Sequence, residues 1–318
     1  MVKRLVAAIF LLLVTLGVAA PDAARKPVVI SPGVTVAGVR VGGLTSEPAR
    51  TRVEKAFGRP LRLAFGEKRW RISPRYLGAS ASVDQAVAKA LRAAPRARVS
   101  LQVSATSPRI RRYVRRLDRL FSRDPEDAYV VGFDGSRPSF SESKDGLKVS
   151  IDQMTNAIAY TLRTNRRAPL HLITESVAAS RTVENFGPVI VVFRGSNKLT
   201  LFNGRSAVRT FGVATGQATY PTPLGVYSIA TKQRDPWWIP PPNSDWAQGK
   251  KPIPPGPGNP LGTRWMGTTA PLVGIHGTPD AASIGYSASH GCIRMRVPEA
   301  EWLFDQVSVG TPVVIVSA

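Results

Sequence analysis

The chain has 318 residues, enough for two or three domains that each bury a core. A hydrophobic fraction of 43% with recurring strand-like runs excludes wholesale disorder. Lysine and arginine outnumber acidic residues 43 to 21, for a formal net charge of +22, which favours an acidic partner. No zinc-finger spacing, RNA-binding aromatic pair or recognition-helix pattern supports nucleic acid, and an anionic cell wall or membrane surface accounts for the charge equally well.

At the N-terminus Lys3 and Arg4 precede an apolar run over residues 5–20, and Val18, Ala19 and Ala20 offer a cleavage site before Pro21. Residues 1–20 are therefore expected to be a signal peptide or, because the run is short for a membrane span, an uncleaved anchor. Either way the remainder is exported, to a cell wall or the outer face of the cytoplasmic membrane, or a periplasm where an outer membrane exists. Residues 21–32 are expected as a tether.

Residues 34–41 alternate as a strand or hairpin, and Gly42-Gly43 leads to a helix that starts near Ser46, with Glu47 and Pro48 in its first turn. Strands are expected at 61–65 and 70–72 around Gly66, then a helix at 83–94 and a strand at 99–103. Together these make an α+β unit over residues 33–124. The segment 72–91 is echoed by 140–162, with Val83-Asp84-Gln85 matching Ile151-Asp152-Gln153, so a second related α+β unit is expected over 125–185. Between the copies lies a basic amphipathic helix, residues 110–121. Its Arg111, Arg112, Arg115, Arg116 and Arg119 read as a solvated face, with contact to an anionic surface the sharper alternative. His171, in an apolar alternating run, reads as packing or surface.

Residues 189–193, 198–202 and 208–214 form three β-rich runs separated by Gly195-Ser196-Asn197 and Asn203-Gly204, a hairpin signal. A strand at 272–275, a helix at 299–307 and a strand at 311–316 complete a mostly β domain over residues 186–318. Between 235 and 258 lies a proline-rich loop. Its prolines reduce the freedom lost on ordering, and Trp237, Trp238 and Trp246 offer apolar surface for one wall of a cleft or for packing on the sheet. Trp265, beside Met266, reads as structural.

Chemistry concentrates in residues 276–296, which hold two of the three histidines and the only cysteine. Cys292 has no disulfide partner within the chain, and an unpaired thiol is a hazard in an exported protein unless function retains it. A thiol needs a base or a positive field to become an effective nucleophile. His290, two residues before Cys292, would share a strand face with it, but His276 from a neighbouring strand or loop is the better base. Gly291 lets the backbone approach a substrate, and amides around Gly291 and Cys292 can form an oxyanion site. Tyr286 and Ser287 are placed to border the pocket. The residues alone leave other readings open: Cys292 as a buried small hydrophobe, or His276, His290 and Cys292 as three ligands of a structural zinc site.

The segment His276, Gly277, Ser289, His290, Gly291, Cys292, Ile293 and Arg294 resembles the signature of the L,D-transpeptidase (YkuD-type) catalytic domain. Thr222-Pro223-Leu224-Gly225 and Asn259-Pro260-Leu261-Gly262 extend the likeness over about residues 187–317. The resemblance implies a mostly β, sandwich-like fold, no cofactor and no metal. It implies a thioester mechanism with Cys292 as nucleophile, His276 as general base and acid, and the Gly277 carbonyl orienting the imidazole. His290 would support the pocket and Gly291 lend its backbone to the oxyanion site. Arg294, Ser289, Tyr286, Trp237, Trp238 and Trp246 are the candidate substrate contacts. The implied substrate is a peptidoglycan stem peptide, cleaved at its terminal D-Ala and joined to a second stem in a 3→3 cross-link. Water as acceptor would make an L,D-carboxypeptidase, and a protein amine a protein-to-peptidoglycan ligase. The N-terminal half resembles the peptidoglycan-binding domain found before such modules and in VanW-like proteins, through its V-x-V-x-G-V-x-V-G-G-L-T opening and the Asp-Gln helix. A spacer, or a wall-binding module without catalysis, is the competing reading, and no obligate protein partner is expected.

Overall fold

The computed structural model describes residues 27–318. The expected signal peptide or anchor, and the first part of the tether, lie outside the described residues. Among the described residues no helix is long and apolar enough to cross a membrane.

The chain divides into two compact units, one holding the residues up to Arg115 together with Ile151–Leu172, the other Arg116–Ser150 with Ile173–Ala318. These borders differ from the expected breaks after residues 124 and 185. In the first unit, Leu61–Phe65 pairs antiparallel with Lys68–Ile72 across Gly66 and parallel with Leu170–His171. The helices Ser46–Phe57, Val83–Leu91 and Ile151–Arg163 present Val53, Val87 and Ile158 as buried residues. The internal echo has a local counterpart. Ala79–Ala81 precedes one helix and pairs antiparallel with Val103–Ala105, and Gly146–Val149 precedes the other and pairs antiparallel with Thr174–Val177.

The second unit is built on eight strands: β1 (Pro188–Phe193), β2 (Lys198–Asn203), β3 (Ser206–Gly212), β4 (Gly225–Arg234), β5 (Arg264–Thr268), β6 (Gly274–Thr278), β7 (Ile293–Arg296) and β8 (Pro312–Val316). They form one sheet in the order β3-β2-β1-β8-β4-β5-β6-β7, antiparallel except for the β1/β8 and β6/β7 pairs. Beyond β3 the chain bridges back to β7, where Ala214 and Arg294 exchange N–H···O bonds of 2.9 Å in both directions. This bridge nearly closes the sheet into a barrel and engages the backbone on the open side of β7.

The run Pro-Val-Ile-Val-Val-Phe in β1 is apolar throughout because both faces are covered. Ile190 and Val192 join the main core with Ile229, Met266, Ile275, Ile293 and Met295, closed by Leu303 and Phe304 of the helix Val297–Gln306. Val189 and Val191 face a second cluster with Ala128, Val130 and Phe186. There the hairpin Val130–Phe133 and Pro138–Phe140 lays Phe133 edge-on against Phe193, 5.3 Å between centroids, and Phe140 against Phe186 at 4.5 Å. This cover ties Val130–Phe133 and Pro138–Phe140 to the compact unit that holds the eight strands. Burial of each such side chain contributes about 2 kcal/mol.

Candidate active site

Strands β5, β6 and β7 alternate strictly, and the alternation builds the site. Met266, Ile275, Ile293 and Met295 point into the core. Their neighbours Trp265, His276 and Arg294 fall on the opposite face, in register across the three strands, with Trp265 beside His276 and His276 beside Arg294. Cys292 precedes β7 on this same side. Trp265, His276, Arg294, Cys292, Ser289 and His290 all line one cleft of about 800 Å³. Gly274 makes room for it: a Cβ there would collide with the Trp265 ring, which lies 5.7 Å from the His276 ring.

His276 is only 4% exposed. Its Nδ1 lies 2.6 Å from the carbonyl oxygen of Gly277, which can only accept, so Nδ1 carries the proton and Nε2 is left with a free lone pair. Burial pushes its pKa down to about 4, with Arg294 lowering it further and the Gly277 bond opposing. Burial likewise pushes the Cys292 thiol up, against the Gly274 N–H and the Arg294 guanidinium, which pull it down. Both shifts favour the uncharged forms, so the pair rests as neutral thiol and neutral imidazole at pH 7. The thiol donates to the Leu272 carbonyl at 3.6 Å. Leu272 itself adopts a left-handed φ of 61° after Pro271, the position a glycine would ordinarily take.

The turn before Cys292 departs from the extended geometry expected of it. Gly291 has φ +108°, which breaks the chain between Ser287–Ser289 and β7, so His290 and Cys292 are not successive residues of one strand face. His290 instead stacks on Trp246 at 4.1 Å and 17°, with Tyr220 at 5.1 Å on a tilt. Burial, with Arg294 and Lys250, lowers its pKa, opposed by Asp245. Ser289 is buried, and its hydroxyl donates to the Cys292 carbonyl at 2.6 Å while accepting the Gly291 N–H at 3.1 Å. Its proton is thereby committed to the turn rather than offered to a substrate. The Gly291 N–H, expected at the oxyanion site, is engaged by the same hydroxyl. Unlike the Gly291 amide, the Cys292 N–H is not taken by the Ser289 hydroxyl.

Trp237, Trp238 and Trp246 line the cleft from a strap, residues 235–258, between β4 and β5. Trp238 and Ile253 exchange 2.9 Å backbone bonds, and Asn259 Nδ2 donates to the carbonyls of Pro236, Ile253 and Pro254. Lys250 sits 5.2 Å over the Trp246 ring. Tyr286 is 68% exposed and lies outside the cleft lining. Trp265, Leu272 and Lys250 line the cleft without having been expected there. Alternation about the core residue Met266 points to Trp265, while a non-glycine left-handed residue such as Leu272 leaves no signature. Among the described residues no group of three or more His, Cys, Asp or Glu gathers as a metal site.

A lone thiol and a buried imidazole of fixed tautomer, on one face of a cleft, define a class of site suited to cysteine-dependent acyl transfer. The L,D-transpeptidase catalytic-domain family, YkuD, matches residues 187–315. YqjB of Bacillus subtilis, named as an L,D-transpeptidase, is 36% identical over 134 residues, 40% of this chain and 70% of that protein. ErfK/SrfK of Escherichia coli, also so named, is 38% identical over 120 residues, 35% of this chain and 38% of its own. The Bacillus subtilis protein YkuD is 32% identical over 126 residues, 40% of this chain and 64% of its own. The chain belongs to the YkuD family of L,D-transpeptidases.

Proposed function

We propose that this chain forms 3→3 peptidoglycan cross-links through a thioester on Cys292. The reading rests on the protonated Nδ1 of buried His276, which leaves Nε2 free to take a proton on the face where Cys292 sits. For the reaction the thiol must give up the Leu272 carbonyl for that nitrogen, a change that a rotation about the Cα–Cβ bond of Cys292 would supply. As sulfur attacks the carbonyl of the L-centre at stem position three, its proton passes to His276 Nε2, and the Cys292 N–H supports the developing oxyanion. Collapse breaks the bond to the terminal D-Ala, whose amine leaves with the proton from His276. A side-chain amine of a second stem then attacks the thioester, His276 accepts its proton, and the thiol is restored.

Because both groups rest uncharged, His276 acts as base during attack rather than as half of a standing ion pair. Arg294, on the cleft floor, is suited to a substrate carboxylate, and the tryptophans of the strap to the stem's apolar parts. For the first unit we propose a wall-facing or spacing role, on the resemblance of its opening segment. Incubation with a tetrapeptide stem, followed by intact-protein mass spectrometry with and without an acceptor stem, tests the reading. The expected result is one acyl mass on Cys292 that a second stem discharges as cross-linked product. Discharge by water alone moves the assignment to an L,D-carboxypeptidase, discharge only by a protein amine moves it to a ligase, and absence of any adduct overturns acyl transfer.

A further inference from the structure

Thr222 is fully buried and lies outside the cleft lining, yet it is tied to the turn that carries Cys292. Its hydroxyl donates to the Gly291 carbonyl at 2.9 Å and accepts the Gly216 N–H at 2.8 Å. Its own carbonyl accepts a 2.9 Å bond from the Arg194 guanidinium. A hydroxyl has one proton to give, and Thr222 commits it to a single carbonyl.

That carbonyl belongs to the peptide unit whose N–H is that of Cys292. A planar trans unit directs its C=O and N–H oppositely, so fixing the Gly291 oxygen also fixes the direction of the Cys292 amide and the Cα from which the thiol projects. Gly291, at φ +108°, is the residue of the turn with the widest conformational freedom, so an external tie matters most here. The close approach is built in: a Cβ at Gly216 would collide with the Tyr220 carbonyl and the Thr222 amide.

Resting on the acyl-transfer reading, we propose that Thr222 is a positioning residue: its hydroxyl holds the peptide between Gly291 and Cys292 in the orientation that acylation requires. The test compares the full chain with T222V and T222S by single-turnover acylation with a tetrapeptide stem, iodoacetamide alkylation across pH, and the thermal unfolding midpoint. T222V should lose about 10²-fold in the acylation rate at saturating donor, the scale of a small misplacement of reacting groups. Its half-saturating donor concentration should stay within about 2-fold of the parent's, and its alkylation profile should be unchanged. T222S, which keeps the hydroxyl, should stay within about 3-fold of the parent throughout. Should T222V not fold, T222A carries the same expectation. Acylation of the hydroxyl-free variant at the parental rate overturns the proposal alone. So does a parallel fall of acylation, alkylation and unfolding midpoint, which marks a purely structural residue. A parent that forms no adduct overturns the acyl-transfer reading and this role with it.

Discussion

The floor of the cleft and the strap above it are made in opposite ways. On the floor, Trp265, His276 and Arg294 each have at least one neighbour along the strand locked in the core, so His276 and Arg294 are placed by Ile275, Ile293 and Met295 as much as by their own contacts. The strap has one bridge, one asparagine with three carbonyls, a 2.8 Å Tyr220–Asp245 bond and a ring stack on His290 to hold it. His276 and Arg294 thus stand on ladder-bonded strands and Cys292 one residue before the last of them, whereas the strap is a segment with little regular pairing.

The largest effects should come from the floor. Cys292→Ala is expected to abolish acyl adduct and product while leaving the unfolding midpoint near the parent's, because the thiol's one donated bond is a weak one to the Leu272 carbonyl. His276→Gln should reduce acylation by about 10²–10⁴-fold, the usual contribution of a general base. A His276 variant that acylates at the parental rate would mean that another base serves Cys292.

The same histidine makes a prediction about pH. Its folded pKa of about 4 lies below the ordinary histidine value of 6.5, so between these values the unfolded chain binds more protons than the folded one. Stability from this group is complete above about pH 6.5 and is lost as pH falls toward 4, by about 3 kcal/mol in all. Unfolding midpoints measured from pH 7 to 4 should fall more steeply for the parent than for His276→Gln. Parallel curves would show that the imidazole is not held neutral by burial. In the enzyme, acid loss of acylation should set in near pH 4 rather than near 6.5.

What the sequence disclosed follows the same division. The β-rich runs around Val189, Leu199 and Ile275 mark strands of the one sheet on which β6 carries His276, and His276 and Cys292 come from two adjacent parallel strands, Cys292 one residue before β7. Where the backbone leaves regular structure, the side-chain pattern stops informing. The φ of Gly291 turns His290 toward Trp246 instead of alongside Cys292, and nothing in the pattern of residues 289–292 shows that Ser289 consumes the Gly291 amide. The hairpin around Gly135 carries too little periodicity to announce that Phe133 and Phe140 cover β1 and its surroundings.

Asn259 offers a way to loosen the strap alone. It is 1% exposed, and its amide serves the carbonyls of Pro236, Ile253 and Pro254. Asn259→Leu should cost about 1–3 kcal/mol, from the Pro236 and Pro254 carbonyls left without this donor and the Leu261 N–H left without the Asn259 Oδ1 acceptor. The loss should be local: hydrogen exchange should speed up at the Trp238 and Ile253 amides, with those of β6 unchanged. Equal acceleration on the floor would erase the distinction between the two regions.

Leu272 gives the smallest effect and the finest discrimination, since it lies at the edge of the floor with a backbone suited to glycine. The side chain is 65% exposed, so little burial is forfeited on removing it, while the left-handed conformation costs a non-glycine residue about 1 kcal/mol or more. Leu272→Gly should therefore hold or slightly raise the unfolding midpoint, the gain being offset in part by the extra freedom of glycine in the unfolded chain. Because Leu272 lines the cleft and its carbonyl holds the resting thiol, the same variant should weaken donor binding and broaden the thiol's orientations. A variant that is more stable and binds donor less well identifies the strain as the cost of presenting Leu272 to the substrate. A variant that is more stable with donor binding intact assigns the left-handed backbone to the turn alone.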